Sequence, residues 1–170
     1  MKAYLPDTAA TQDLGRRLGE VLGAGDVVVL SGELGAGKTT LAQGVACGLG
    51  VKGMVTSPTF TLIQEHTGRL PFYHLDVYRL EEADAALELG LEEYFYGQGV
   101  TVIEWGERLA SLLPAEYLVV SLEYAPGGGR MATLMARGEH YRQLIAALRA
   151  RYGSNVPQGE PSANTQLGTD

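Results

Sequence analysis

The stretch Gly32-Glu33-Leu34-Gly35-Ala36-Gly37-Lys38-Thr39 carries glycines, a lysine and a hydroxyl at the spacing of a phosphate-binding loop. Glycines let the backbone curl until successive N–H groups face phosphate oxygens. Lys38 brings a mobile charge to the outer phosphates, and the Thr39 hydroxyl is a hard oxygen ligand for the magnesium that accompanies them. A glycine-rich turn with a solvated lysine would satisfy the same letters. The flanks argue against it, because an apolar run from Asp26 to Ser31 enters the loop and a helix-like stretch from Thr40 to Leu49 leaves it.

Hydrolysis also needs a carboxylate near the metal. Asp76, in His74-Leu75-Asp76-Val77-Tyr78-Arg79, and Glu104, in Ile103-Glu104-Trp105, end or interrupt apolar strands. Either could hold magnesium or orient the attacking water; a strand-edge carboxylate and a helix cap are the plain alternatives. His74 shares a strand face with Asp76 and could orient it, or could be a satisfied core histidine. His66 and His140 read as surface residues, and no histidine spacing suggests zinc. Trp105, beside Glu104, reads as core or as a contact surface. Arg79 reads as a phosphate contact or a carboxylate partner, and Cys47 as a small packing residue. Guanine-specific loops use an Asn-Lys-x-Asp element, but the only asparagines are Asn155 and Asn164, neither before lysine, so the expected nucleotide is ATP.

The elements that must position these groups alternate between strands and helices. Residues 8–23 have helical spacing of Leu14, Leu18, Val21 and Leu22, with Thr8 as the expected cap. Residues 26–31 form a buried strand. Residues 55–60 read as a short strand broken by Pro58, and about 60–65 and 70–78 as a hairpin turning at 66–69. Residues 81–89 read as a short helix stopped by Gly90, and 91–96 as irregular. Residues 100–103 form an apolar strand, 107–113 a helix ended by Pro114, 117–123 and 131–137 strands, and 140–152 the last helix. This pattern predicts an α/β fold of the P-loop NTPase kind, a three-layer sandwich around a mainly parallel sheet with antiparallel hairpin additions. Residues 1–152 are read as one domain. Residues 153–170 are polar and apolar-poor, so a disordered tail is expected there.

Composition sets the bounds. At 170 residues, with 45% apolar and 19% charged residues, the chain suits one core-bearing globular domain. No apolar run approaches the roughly 18 residues of a membrane span, and no signal-peptide core precedes the domain. A single cysteine excludes an internal disulfide, which makes the cytoplasm the expected compartment. The net charge of −7 and scattered basic residues give no nucleic-acid stripe, so any RNA role is expected to run through a partner.

Pro6-Asp7 with Thr11 and Leu14-Gly15, then Gly32 to Thr40, Ser57-Pro58-Thr59-Phe60, His74 to Arg79 and Ile103-Glu104-Trp105 occur together in this order. Over roughly residues 4–125 the chain resembles the TsaE (YjeE) family, the P-loop ATPases of bacterial tRNA threonylcarbamoyladenosine synthesis. The resemblance implies binding of ATP and Mg2+ and hydrolysis to ADP and phosphate. It also implies partnership with the TsaD–TsaB pair that modifies adenosine 37 of tRNA, so that tRNA is met only through the complex. By position, Gly35, Ala36, Gly37, Lys38, Thr39 and Thr40 would hold phosphates, Thr39 and Glu104 the magnesium, and Asp76 would belong to the hydrolytic machinery. Thr8 and Thr11 fall where the family's N-terminal segment nears the nucleotide, and Glu33 replaces a common Asp. Two other classes fit the loop: a stand-alone small-molecule kinase, which would want an arginine-bearing lid, and a module in which ATP gates assembly without catalysis.

Overall fold

The computed structural model describes residues 1–58, 61–80 and 89–152. Seven strands form one sheet in the order β1-β7-β6-β2-β5-β4-β3. They are β1 (Lys2–Leu5), β2 (Val27–Gly32), β3 (Ile63–Thr67), β4 (Pro71–Asp76), β5 (Val100–Glu104), β6 (Tyr117–Tyr124) and β7 (Arg130–Arg137). The adjacent strands β6, β2, β5 and β4 run parallel, while β3, β7 and β1 add on antiparallel. The mainly parallel centre and hairpin edges match the expected architecture. Strands β2 and β5 are buried along Val27–Leu30 and Val100–Glu104, as expected where both faces of a parallel sheet are covered.

The two faces are covered unequally. Helices α1 (Thr8–Val21), α2 (Lys38–Gly48) and α4 (Glu139–Tyr152) lie on one face. Their Leu14, Leu18, Leu41, Val45, Leu144 and Leu148 pack with Val28, Leu30, Val102 and Val120 of the strands. A smaller cluster of Val27, Leu75, Phe95, Ile103 and Leu109 lies apart from it, under the short α3 (Leu91–Phe95) and a 3-10 turn, Gly106–Leu109. Helices α1 and α2 approach at backbone distance because glycines line the crossing. A Cβ at Gly44 would stand 2.3 Å from the Gln12 carbonyl oxygen, and one at Gly19 2.3 Å from that of Val45.

Several local expectations are corrected. The α1 cap is Asp7, whose carboxylate accepts the Ala10 N–H at 2.8 Å, because Thr8 already belongs to the helix. Strand β1 carries too few residues for a periodic signal and exists because β7 offers an edge. Residues 55–58 form no strand, with Pro58 unable to join a ladder. Residues 91–95 are helical, since Gly90 adopts the left-handed conformation that starts them. Residues 107–113 make only the 3-10 turn and looser turns. Cys47 is exposed, lining a shallow groove with Gln12, Arg16 and Gln43. The helix expected at 81–89 falls almost wholly outside the described residues, as do Thr59, Phe60 and the tail. No helix among the described residues is long and apolar enough to cross a membrane.

Candidate functional site

Parallel strands deliver their C-terminal ends to one edge of the sheet, where α/β folds place their ligands. Here that edge holds Gly32 of β2, Glu104 of β5 and Asp76 of β4 side by side. Leu30 pairs with Glu104, and Glu104 with Asp76. Gly32 has φ +144°, and a Cβ there would stand 2.5 Å from the Leu122 carbonyl oxygen, so only glycine lets the chain leave β2 at this point. Gly37, at φ +109°, opens α2 without any side-chain cap, which leaves the helix's first N–H groups for an anion.

Lys38 is almost wholly buried and folds back on its own loop. Its Nζ donates to the carbonyl oxygens of Gly32 at 2.6 Å and Glu33 at 2.9 Å, and stands 3.9 Å from the centre of the Trp105 ring. Burial pushes the Lys38 ammonium below its usual range, while Glu104, Glu107 and Asp76 pull it back. Trp105 reaches this position from a left-handed backbone, φ +63°, rare for a bulky residue and common where a site holds strain. It is half-buried and packs against Tyr78 at 4.9 Å, with Arg108 above both rings. It is thus neither buried core nor bare surface.

The Thr39 hydroxyl lies 2.8 Å from Glu104 Oε1, and His74 Nε2 lies 2.6 Å from Glu104 Oε2. His74 therefore touches Glu104, whereas the strand pattern pointed it at Asp76. The reason is register: His74, Asp76 and Glu104 share a face, and the histidine reaches one step along to the neighbouring strand. Asp76 is buried, and its Oδ1 accepts the Tyr78 N–H at 3.0 Å. Arg79, past the strand end, is exposed.

Beside the loop lies a cavity of about 210 Å3, lined by Asp7, Thr8 and Thr11 of the N-terminal segment, Gly35 to Gly37, Thr40 and Arg130. Thr8 and Thr11 thus share one cavity with the loop residues, although the Thr11 hydroxyl bonds the Asp7 carbonyl of its own helix at 3.3 Å.

Two residues here escaped the sequence reading. Arg130 donates to the carbonyls of Ala36 at 3.2 Å and Gly35 at 3.3 Å, and lies 4.0 Å over the ring of its cross-strand partner Tyr124. The Tyr124 hydroxyl reaches the Leu34 carbonyl at 3.4 Å. The hairpin of β6 and β7 so grips the loop from 90 residues away. A lone arginine after Gly127-Gly128-Gly129 carries no local signal of this.

Comparison with known proteins follows the same outline. The family model described as "Threonylcarbamoyl adenosine biosynthesis protein TsaE" matches residues 5–131. The "tRNA threonylcarbamoyladenosine biosynthesis protein TsaE" of a Nostoc species is 49% identical, over 85% of this chain and 91% of its own length. The protein of that name from Bacillus subtilis is 48% identical, over 73% and 78%. The crystal structure of Bacillus subtilis YdiB superposes with a TM-score of 0.80 and 38% identity, over 89% of this chain and 95% of that one.

Proposed function

The chain belongs to the TsaE family of threonylcarbamoyl adenosine biosynthesis proteins, and from that premise we propose that it is an ATPase. It binds ATP with Mg2+, hydrolyses it to ADP and phosphate, and serves the TsaD–TsaB pair that modifies adenosine 37 of tRNA. The observation that carries the reading is the convergence of Lys38, Thr39 and Glu104 on one uncapped helix N-terminus, with Asp76 in register beside them.

The residues fit magnesium. A hydroxyl and a carboxylate are hard oxygen donors, and the described residues contain no larger cluster of His, Cys, Asp or Glu that could cage a metal. Mg2+ characteristically takes one or two protein ligands and leaves the rest to phosphates and water. Thr39 and Glu104 would hold it, and it would supply charge neutralisation to the outer phosphates.

The chain's own groups do the remainder. Backbone N–H groups from Gly35 to Thr40 cradle phosphate oxygens, aided by the dipole of α2. Lys38 exchanges the Gly32 and Glu33 carbonyls for phosphate oxygens, which restores the charge that burial disfavours. Asp76, next to Glu104, orients water for in-line attack on the terminal phosphate. The N-terminal segment with Thr8 and Thr11 walls the cavity that receives the remainder of the nucleotide.

The partner is proposed to complete the site. An added arginine on the transferring phosphate is worth roughly 10³–10⁵ in turnover. In this chain Arg130 spends its donors on loop carbonyls, and Arg108 lies over Tyr78 and bonds its carbonyl. Phosphate release should be slow for the chain alone and rise at least tenfold with purified TsaD and TsaB. Full turnover by the isolated chain would reject the servicing role, and absence of hydrolysis in both conditions would reject the ATPase.

A further inference from the structure

We propose that His74 is a positioning residue which, donating from Nε2, holds the Glu104 carboxylate in the orientation that magnesium requires; the inference rests on the ATPase reading above. The imidazole is fully buried on β4, between its register partners Gln64 and Val102, and stacked 6.0 Å from Phe72. Its Nε2 meets Glu104 Oε2 at 2.6 Å, while its Nδ1 is buried with no hydrogen-bond partner.

That asymmetry assigns the donor. A proton on Nδ1 alone would be a buried N–H with nothing to receive it and would leave a bare Nε2 facing a carboxylate oxygen. The hydrogen bond is therefore donated by the Nε2 N–H to Glu104.

The consequence lies at the carboxylate. Glu104 is itself buried, and its two oxygens divide their work: Oε2 accepts from His74 and Oε1 faces the Thr39 hydroxyl at 2.8 Å. With Oε2 held, the carboxylate plane cannot turn, and Oε1 stays aimed at the loop. The bond to Oε2 orients the carboxylate and leaves Oε1 for the cation. Histidine supplies the reach from one strand step away, and its burial leaves no water to substitute.

The experiment combines spectroscopy with metal titration on the full chain. Nitrogen-15 imidazole spectra should show His74 protonated at Nε2. By the usual effect of losing a group that orients a metal ligand, His74→Leu should raise the Mg2+ needed for half-maximal Mg2+-dependent ADP binding about 10- to 100-fold while leaving metal-free ADP affinity within about twofold. His74→Gln, which places an amide N–H near the Nε2 position, should recover most of that loss. A spectrum with Nε2 bare would overturn the proposal. So would a His74→Leu protein that loses ADP equally with and without Mg2+, or a glutamine variant as impaired as the leucine one. Should the leucine variant not fold, the spectrum and the glutamine variant still decide. ADP binding indifferent to Mg2+ in the parent would sink the ATPase reading instead, and the spectrum alone would then judge the His74 bond.

Discussion

Lys38 is held in place by what it must give up. Two carbonyls and the Trp105 face satisfy the ammonium in a buried setting, so on the proposed function phosphate binding would be an exchange of partners and not a simple capture. A hydrogen bond to a charged group is worth about 1.5–3 kcal/mol, so Lys38→Ala should weaken ATP roughly 10- to 100-fold in a calorimetric titration. The neighbouring carboxylates are proposed to separate by role. Glu104 contacts Thr39 and Asp76 does not share that bond, so Glu104→Gln should shift the Mg2+ dependence of nucleotide binding. Asp76→Asn should leave that dependence in place and lower hydrolysis alone. Equal metal dependence in the two variants would mean that the division is wrong.

Among elements, the crossing of α1 and α2 decides whether the N-terminal segment can stand beside the loop at all. Helix propensity favours alanine over glycine by about 1 kcal/mol, which by itself predicts that Gly44→Ala stabilises. The Gln12 carbonyl 2.3 Å from the new Cβ predicts the opposite, since backbone cannot move aside cheaply. Overpacking of this kind costs about 1–3 kcal/mol, so the urea midpoint should fall with an unchanged slope. An unchanged or higher midpoint would show that the helices part without penalty. The β6–β7 hairpin acts on the loop from the other side. Removing the Arg130 donors by Arg130→Ala should weaken ADP by roughly tenfold, less than the full value of two charged hydrogen bonds because the group is partly solvated. The variant's melting temperature should barely move, which separates loop organisation from general stability.

At the scale of the whole molecule, helix α4 is tied to the base of the central strand. Tyr141 OH accepts the Val27 N–H at 2.8 Å, and His140 Nε2 meets the buried Asp26 carboxylate at 2.6 Å. Burial first holds the Tyr141 phenol above its ordinary value; the Val27 N–H opposes that shift and Asp26 adds to it. The unfolded chain releases this proton near pH 10, and the folded chain resists until higher pH. The stabilisation is therefore complete below pH 10 and is lost as pH rises toward the folded value. Melting curves should show stability falling above pH 10, with a shallower fall in Tyr141→Phe. The same variant should start about 1–3 kcal/mol lower at pH 8, because Val27 loses its buried acceptor. Parallel alkaline limbs in parent and variant would remove Tyr141 from the account.

What the amino-acid sequence determined by itself was whatever is written in contiguous residues. The loop from Gly32 to Thr39, the apolar runs of β2 and β5, and the β3–β4 hairpin each depend on neighbours a few positions apart, so their spacing is their signal. Asp76 and Glu104 could be singled out because each ends or interrupts an apolar run, although their roles could not be divided. Tertiary structure alone decided the rest. The register of β4 on β5 turned His74 toward Glu104 and not Asp76. Pairing with β7 made a strand of Lys2–Leu5, and the hairpin brought Arg130 onto carbonyls 94 residues away. The helix glycines look like weak points until a second helix lies against them. In each case the residue's partner is distant along the chain, and its energy exists only once the sheet and helices have closed around it.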